Sequence, residues 1–287
     1  MMQQIPLILI GGPTASGKSG LAMQIARQKN GCIINTDAMQ IYAGLSILTA
    51  QPSARDKAEI PHLLYEVLDA AEASSAGKWL TLARAAIDEA RQAGRTPILV
   101  GGTGMYFSSL LGGLADIPLI PDEARQEATK LYEAVGEENF RKQLAARDLE
   151  SAARIARNDR QRLIRAYEVV THTGKSLGAW YKQGQVENKF STEWHLLMPP
   201  REELYAACDK RFLTMIENGA IEEVQKLLAR DLSSDLPAMK ILGVREIGEY
   251  LRGETTLDAV ITKAQQMTRN YAKRQMTWFR NQGFETQ

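Results

Sequence analysis

Residues 12–19 read Gly-Pro-Thr-Ala-Ser-Gly-Lys-Ser and fit G-x-x-x-x-G-K-[ST], the pattern of the phosphate-binding P-loop. The loop follows a short apolar run at 6–10, which is typical of a buried parallel strand, and precedes helix formers at 20–26. A strand, a glycine-rich turn and a helix in this order are the context in which the pattern binds phosphate. The stretch therefore predicts a parallel α/β sheet with a phosphate site at the start of its first helix.

The loop supplies that site with several donor groups. Its backbone N–H groups and the positive end of the helix dipole are suited to a polyphosphate. Lys18 can neutralise the terminal charge of the ligand, and the Ser19 hydroxyl can hold Mg²⁺. An ordinary turn between strand and helix is the alternative, and the motif alone leaves open which phosphate compound binds. The predicted diphosphate-binding residues are Gly12, Pro13, Thr14, Ala15, Ser16, Gly17, Lys18 and Ser19.

Composition sets broad limits on the protein. The 287 residues allow one large domain or two smaller ones, and the net charge of +1 indicates no particular partner. Cys32 and Cys208 lie far apart in the sequence, so we expect them to pack as small apolar groups. No apolar stretch approaches the ~18 residues of a membrane span, and the N-terminal residues lack a signal-peptide pattern. We therefore expect a protein of the reducing cytoplasm without a membrane partner. We also expect a monomer, although composition does not bear on the oligomeric state.

Apolar runs alternate with helical segments through the first third of the chain, which predicts βαβ units and a parallel sheet. The runs include a third apolar segment at 63–68, and helical spacing predicts a helix from about 76 to 93 that stops at Gly94. From 122 to about 183 the sequence is helix-forming and rich in charge, with no convincing strand, and strand character returns at 195–198. We predict a P-loop NTPase-like parallel sheet flanked by helices, of class α/β, with an all-helical insertion domain. The core domain would comprise 1–116 and 192–287, and the insertion 117–191.

Two further polar residues follow predicted strands. Asp37 comes after the apolar strand 32–35, and Thr103 lies in the Gly-Gly-Thr-Gly turn after the strand 96–100. Ligands of open α/β sheets bind beyond the carboxyl ends of the strands, so both residues are expected near the P-loop. A carboxylate there can act as a general base or hold a metal-bound water, and the Thr103 N–H and hydroxyl can donate to phosphate. A helix cap and a plain tight turn are the respective alternatives.

The end of the strand at 96–100 bears on the chemistry. Many P-loop ATPases place an aspartate at the end of a neighbouring strand, where it helps to hold Mg²⁺. Here that strand is followed by Gly101, and the available carboxylate, Asp37, follows a different strand. This arrangement weakens an ATPase interpretation and leaves a carboxylate free to activate an acceptor.

Basic residues are concentrated in two segments, 154–165 and 263–280. The second segment has no acidic residue between Asp258 and Glu285, and Tyr271, Trp278 and Phe279 are interleaved with its cations. Stripes of one sign with aromatic residues suit a phosphodiester backbone and unstacked bases, whereas a solvated helix face usually balances its charges at i,i+4. Solvated faces, and a core position for the tryptophan and phenylalanine, are the alternatives. The cationic residues are Arg154, Arg157, Arg160, Arg162, Arg165, Lys263, Arg269, Lys273, Arg274 and Arg280, and Arg211 is a further candidate anion ligand.

Read together, five segments resemble the tRNA dimethylallyltransferases, also called tRNA isopentenyltransferases. They are 12–19, 37–42 (Asp-Ala-Met-Gln-Ile-Tyr), 101–106 (Gly-Gly-Thr-Gly-Met-Tyr), 158–162 (Asn-Asp-Arg-Gln-Arg) and 269–280. The resemblance runs from about Leu9 to Arg280. The chain departs from the usual family pattern at Leu48, Gln51, Arg160 and Val244.

The resemblance implies transfer of a dimethylallyl group from dimethylallyl diphosphate to N6 of the adenine 3′ of the anticodon, in tRNAs that read codons starting with U. The P-loop would then hold the prenyl diphosphate. Asp37 would accept the proton from the exocyclic amine of a flipped-out adenine, and Thr103 would stabilise the bridging oxygen. Lys18, Arg211 and Mg²⁺ on Ser19 would stabilise the departing pyrophosphate.

The resemblance also implies a surface for tRNA. The helical insertion would close over the anticodon loop, and residues 240–245 and 268–275 would hold the stem. The implied tRNA-binding residues are Asp37, Ala38, Met39, Gln40, Thr103, Arg125, Gln161, Arg162, Leu163, Ile164, Arg165, Lys240, Arg245, Arg269, Lys273 and Arg274.

Two other functions stay open at this point. The chain could be a small-molecule kinase or NTPase whose arginines at 154–165 surround a γ-phosphate. It could also be an RNA-binding module whose P-loop binds phosphate without chemistry. Gly101 counts against the first, and Asp37 against the second, since anion binding gains nothing from a nearby carboxylate.

Overall fold

A computed structural model describes residues 5–115, 117–183 and 189–282. The described residues form one five-stranded sheet in which every paired strand is parallel, in the order β3-β2-β4-β1-β5. The strands are β1 (Ile5–Gly11), β2 (Gly31–Asn35), β3 (His62–Leu63), β4 (Thr96–Gly101) and β5 (Phe190–Leu196).

The described residues also form helices, as the predicted α/β class and helical insertion require. They are α1 (Lys18–Gln28), α2 (Ala54–Glu59), α3 (Ala76–Gln92), α4 (Gly104–Gly112), α5 (Asp122–Ala145), α6 (Leu149–Arg154), α7 (Arg160–Thr173), α8 (Leu177–Gln183), α9 (Arg201–Glu217), α10 (Ala220–Leu228), α11 (Val244–Leu251) and α12 (Leu257–Asn281). A short 3₁₀ helix at Pro237–Lys240 precedes α11. No helix among the described residues is both long and apolar enough to cross a membrane.

The sheet is buried where its strands are continuously apolar. Leu9 and Ile10 of β1 and Leu99 of β4 have no exposed surface, as expected for strands covered on both faces. β1 lies between the middle strand β4 and the edge strand β5, so the loop that follows β1 leaves the carboxyl edge of the sheet beside the turn that follows β4. The predicted parallel sheet is confirmed, and its topology brings the P-loop next to the turn that carries Thr103.

Two strands differ from the sequence prediction. The last strand begins at Phe190 and not at 195, because residues 190–196 pair along the whole length of β1. Its first half contains the polar residues Ser191, Thr192 and Glu193, so the sequence shows no apolar run there. Of the apolar segment 63–68, only its first residue joins the sheet, within the two-residue strand β3. Short edge strands carry too few residues to show a clear pattern.

The chain divides into two compact units at 111/112 and 188/189. The first unit contains the sheet with α1 to α4 and α9 to α12. In the described part of the second unit, α5 to α8 pack around Phe140, Leu144, Leu163 and Ala166, so the insertion is helical, as predicted. The predicted boundary at 116/117 falls on Asp116, which lies outside the described residues, and the predicted limits of the domains stay a prediction.

Candidate active site

The P-loop follows β1, and two of its positions have a backbone conformation that favours glycine. Gly12 has a φ of 149°, and a Cβ at this position would lie 2.5 Å from the carbonyl oxygen of Leu197. Gly17, at φ 89°, is the residue before α1 and provides no side-chain cap for the helix. The first N–H groups of α1 therefore lack a capping side chain, which is the usual condition for an anion site at a helix N-terminus.

A buried hydroxyl in the same loop has no partner. The Oγ of Ser16 is enclosed and makes no hydrogen bond within the described residues. Buried polar atoms without a partner are rare in folded proteins because each loses its hydration. Together with the uncapped helix, this hydroxyl indicates a loop shaped around a polar ligand.

A cavity of about 330 Å³ opens over the loop. All residues from Thr14 to Gly20 line it, together with Asp37, Arg211, Gln40, Thr49, Ala50 and Tyr65. Burial lowers the pKa of Lys18 to about 8, with the nearby Asp37 acting in the opposite direction, and its Nζ donates to the carbonyl of Pro13. Burial also lowers the pKa of Arg211, whose Nη2 donates to the Thr14 Oγ1 at 2.6 Å. The cavity thus combines two partly desolvated cations, a geometry suited to a diphosphate.

The position of Asp37 is fixed by a buried asparagine. The Oδ1 of Asn35 accepts the Asp37 N–H at 2.8 Å, and its Nδ2 donates to the Asp37 carbonyl at 3.0 Å. The Asn35 carbonyl in turn accepts the indole N–H of Trp79 at 3.0 Å. Asp37 does not cap a helix, because residues 38–50 form turns and bends, and its Oδ1 accepts the N–H of Met39 at 2.9 Å.

Thr103 is tied to the same loop. Its Oγ1 accepts the N–H of Ala38, the neighbour of Asp37, at 3.0 Å. Its own N–H donates to the Thr36 carbonyl at 3.2 Å, so the predicted donation from this N–H to phosphate is wrong. The threonine oxygen already accepts one hydrogen bond, and the hydroxyl also forms a side-chain hydrogen bond with Tyr271, so it must turn away from the tyrosine to donate to a ligand.

A second cavity, of about 220 Å³, adjoins the first and shares Thr14, Asp37, Thr49 and Arg211 with it. Its other lining is largely apolar, with two cations and a tyrosine at its border. Burial raises the pKa of that tyrosine, Tyr271, so its ring presents a neutral hydroxyl. Asp37 lies where the polar and the apolar cavity meet. The remaining lining residues are Met39, Leu48, Phe212, Met215, Lys240, Ile241, Leu242, Thr268 and Arg274.

Comparison with known proteins identifies the family. The family described as IPP transferase matches residues 40–282, and the one described as isopentenyl transferase matches residues 5–63. The chain belongs to the IPP transferase family. A relative named tRNA dimethylallyltransferase, from Caulobacter sp. (strain K31), is 51% identical over 282 residues, which cover 98% of this chain and 91% of the relative. Another of that name, from Rhodospirillum centenum, is 49% identical over 96% of this chain and 89% of its own length.

Solved structures give the IPP transferase assignment a second basis. A tRNA isopentenylpyrophosphate transferase from Bacillus halodurans has a TM-score of 0.70 and 33% identity, with 98% of this chain and 88% of that chain covered. A eukaryotic dimethylallyltransferase solved while acting on tRNA has a TM-score of 0.82 and 27% identity, with 96% of this chain and 69% of that chain covered. The α/β fold and the family membership predicted from the sequence are therefore confirmed.

The basic residues of the core domain differ in what they contact. The Nη1 of Arg269 donates to both carboxylate oxygens of Asp209, at 2.6 and 2.7 Å, and its Nη2 donates to the Gln266 Oε1 at 2.8 Å, so both terminal nitrogens are engaged. Arg274 and Lys273 are exposed, and Arg274 lies over the ring of Tyr271, 5.6 Å from its centroid.

The remaining predicted tRNA-binding residues of the core domain each have a partner within the protein. Lys240 lies 3.6 Å from Asp235, and Arg245 pairs with Glu249. The Gln40 amide donates to the carbonyls of Thr49 and Ala50.

The helical unit presents its arginines with acidic partners. Arg162 lies 3.1 Å from Asp159, and Arg165 lies 2.6 Å from the buried Glu168. Arg154 likewise pairs with Glu150, so the predicted absence of i,i+4 balance is wrong for this cluster. Each pair engages one guanidinium nitrogen in these bonds, which leaves donors for a phosphate. Among the predicted tRNA-binding residues of this unit, Arg125 and Gln161 are exposed. Leu163 and Ile164 are buried in its hydrophobic core.

Sequence reasoning missed several residues that shape the site. Thr49 and Tyr65 line the polar cavity from turns that have no motif of their own. Glu223 is buried and accepts the N–H groups of Ile47 and Leu48, at 2.9 and 2.8 Å, and thereby holds the turn that carries Thr49. No spacing rule points to such residues, because they contact the site only through the tertiary fold.

Proposed function

We propose that this protein transfers a dimethylallyl group from dimethylallyl diphosphate to N6 of the adenine 3′ of the tRNA anticodon, and acts as a monomer in the cytoplasm. The observation that carries the proposal is the position of Asp37 at the junction of two cavities, one polar and built on the P-loop, the other apolar. Family membership supports it, because the relatives are named for transfer of such a group to tRNA.

In the proposed reaction the donor diphosphate lies on the P-loop. Lys18 and Arg211 neutralise its charge as the C–O bond of the donor breaks, and pyrophosphate leaves with the electron pair. The Thr103 hydroxyl donates to the bridging oxygen. Most of the rate enhancement thus comes from preorganised donors around a leaving group.

The acceptor adenine enters from the apolar cavity. Its N6 forms the new bond to carbon, and its proton passes to the Asp37 carboxylate. An unstacked base suits the aromatic and apolar lining there, which includes Tyr271 and Met39, while Arg274 and Lys240 at its border suit the adjoining phosphates. The exposed arginines of the helical unit would hold further phosphates of the anticodon arm.

The site fits Mg²⁺ as the cofactor. The Ser19 hydroxyl lines the polar cavity together with the Asp37 carboxylate, and such hard oxygen donors, joined by diphosphate oxygens, are the ligands that Mg²⁺ prefers. The described residues contain no cluster of three or more His, Cys, Asp or Glu that would hold a metal unaided. Ser19 and the donor's own oxygens would therefore hold the ion, which when bound adds positive charge beside the leaving group.

A direct assay tests the proposal. The protein is incubated with an unmodified tRNA anticodon stem-loop, dimethylallyl diphosphate and Mg²⁺, and the RNA is digested for analysis by mass spectrometry. We expect N6-dimethylallyladenosine at the position 3′ of the anticodon, in a stem-loop that reads codons starting with U. A stem-loop with guanine at that position is the control. ATP consumption without a modified base would contradict the proposal.

A further inference from the structure

The side chain of Gln275, on α12, joins two loops of the candidate site. Its Oε1 accepts the N–H of Thr14 in the P-loop at 2.7 Å, and its Nε2 donates to the carbonyl of Gly102 at 3.0 Å. Only 6% of the residue is exposed, so it faces the protein interior and not an RNA surface. One amide group therefore sets the spacing between the P-loop and the turn that follows β4.

Each of these loops continues to a group that acts on the diphosphate in the proposed reaction. The Thr14 hydroxyl accepts a hydrogen bond from Arg211 at 2.6 Å. Gly102 directly precedes Thr103, whose oxygen holds the N–H of Ala38 at 3.0 Å. Gln275 thereby connects the position of Arg211 to that of Thr103, although it lines neither cavity.

The contact has strict chemical requirements. A Cβ on Gly102 would lie 2.2 Å from the Nε2 of Gln275, so the turn approaches the amide this closely only because it carries no side chain. The amide must accept at one end and donate at the other. An ionised glutamate side chain can accept hydrogen bonds but cannot donate one. A methionine side chain has no donor, and its sulfur is only a weak acceptor.

We propose, on the basis of the function proposed above, that Gln275 is a positioning residue for prenyl transfer. It holds Arg211 and Thr103 at the separation that the diphosphate requires in the transition state. Displacement of catalytic groups by about 1 Å costs on the order of 100-fold in rate. Because the groups that it positions act as the C–O bond breaks, the loss of Gln275 lowers kcat more than it raises the KM for the donor.

The first test compares Gln275→Met with Gln265→Met. Gln265 lies on the same helix and donates one hydrogen bond to the Asp209 carbonyl at 3.1 Å, so its replacement removes a comparable contact away from the two loops. We expect Gln275→Met to lower kcat by roughly 10- to 100-fold, with the KM for dimethylallyl diphosphate changed less than about threefold. The Gln265 variant should keep wild-type kinetics.

The second test uses Gln275→Glu and the pH. A protonated carboxyl group has the same donor and acceptor arrangement as the amide, whereas the ionised group places a negative oxygen against the Gly102 carbonyl. We expect the ratio of the kcat of this variant to that of the wild type to rise as the pH falls, by up to about tenfold per unit until the introduced carboxyl group is protonated. A role in packing alone would leave the ratio constant.

A third variant covers the case in which substitution of Gln275 prevents folding, as judged by thermal unfolding. Gly102→Ala retains Gln275 and displaces its amide with a methyl group, so it should lower kcat in the same way, and a double variant with Gln275→Met should be no slower than the slower single variant. Wild-type kcat in all of these variants at every pH, beside an active wild type, would overturn the inference. An inactive wild type would instead contradict the proposed function itself.

Discussion

The Asp37 carboxylate shows how single residues define this site. Its backbone is held on both sides by the Asn35 amide, and this asparagine is itself completely buried. A carboxylate on a rigid loop loses little entropy on reaching a substrate, which is what a general base requires. The sequence placed Asp37 correctly at the end of β2, and the structure adds the residue that holds it.

Replacement of this carboxylate by an amide tests its role as the base. In Asp37→Asn the side-chain oxygen can still accept the Met39 N–H, so the loop should keep its fold. We expect kcat for prenyl transfer to fall by about 100- to 10,000-fold, since the amide cannot accept the proton. The affinity for the tRNA stem-loop, measured by fluorescence anisotropy, should remain within about threefold. Undiminished turnover would exclude Asp37 as the base.

The pKa of Lys18 predicts how donor binding depends on pH. In the free protein burial lowers this pKa to about 8, and a bound diphosphate favours the charged form. Below pH 8 the lysine is already protonated, so affinity should be nearly constant. Above this pKa binding must take up a proton, and the affinity for dimethylallyl diphosphate should fall by up to about tenfold per pH unit. Calorimetry at a series of pH values on both sides of the pKa measures this slope.

The variant Lys18→Met is the control for that experiment, because it separates the titration of the protein from that of the ligand. Its affinity should be lower than that of the wild type at neutral pH and should lack the decline above the pKa of the lysine. An identical decline in both proteins would show that Lys18 is not its source.

At the scale of the elements, the turn between β2 and α2 depends on a helix far from it in sequence. Glu223, in the first turn of α10, accepts the backbone N–H groups of Ile47 and Leu48 and lies 3.5 Å from the Ser46 hydroxyl. The adjoining Thr49 then lines both cavities. Leu48, one of the departures from the family pattern, is thus a buried part of this turn, with its N–H satisfied.

Removal of this carboxylate should destabilise the protein. In Glu223→Ala the buried N–H of Leu48 and the part-buried N–H of Ile47 lose their acceptor, at about 1–3 kcal/mol for each unsatisfied group. We therefore expect the free energy of unfolding, from urea denaturation, to fall by roughly 2–4 kcal/mol. Glu222→Ala, at a less buried position of the same helix turn, should change it by less than about 0.5 kcal/mol. Equal effects of the two substitutions would contradict the proposed anchoring of the turn.

The ends of helices are predicted well from the sequence where capping residues are present. Ser75 caps α3 by accepting the Lys78 N–H, and Gly94 follows the helix with a positive φ, so the predicted helix at 76–93 is nearly correct. Arg160 stands at the first position of α7, where the family usually has a proline. The N–H at this position has no partner within the helix, so proline and arginine both fit there. In this protein the Arg160 side chain pairs with Glu133. The segment 63–68 was harder to interpret, since its pairing depends on β2.

At the scale of the whole molecule, net charge conceals how charges pair. The stripe on α12 has no acid nearby in sequence, yet its Arg269 meets Asp209 of α9 and its Lys263 meets Glu249 of α11. In contrast, Lys273 and Arg274 are exposed, and Arg274 lies against the ring of Tyr271. The sequence identified a basic stripe, and the packing of three helices selected which of its cations stay available to a polyanion.

The exposed arginines of the helical unit should contribute to the salt dependence of RNA binding. Replacing Arg154 and Arg162 with glutamine should reduce the slope of log Kd against log salt by about 0.7 for each single-strand phosphate that the protein no longer neutralises. The double variant Arg27→Gln/Lys29→Gln removes the same charge from the end of α1, roughly 15 Å along the helix from the P-loop, and should leave the slope unchanged. If the wild type and both double variants had the same slope, the arginine cluster would be a solvated helix face that does not contact RNA.

Consecutive residues are enough to establish the α/β class, the P-loop, and the positions of Asp37 and Thr103 at the carboxyl edge of the sheet. These features are local, because a strand, the turn after it and the helix that follows are written one after another in the chain. The groups that hold the site together come instead from distant segments. Gln275 bonds to Thr14 across 261 positions of sequence, and Glu223 reaches Leu48 across 175. Such partners depend on how helices pack against the sheet, which no spacing between residues encodes.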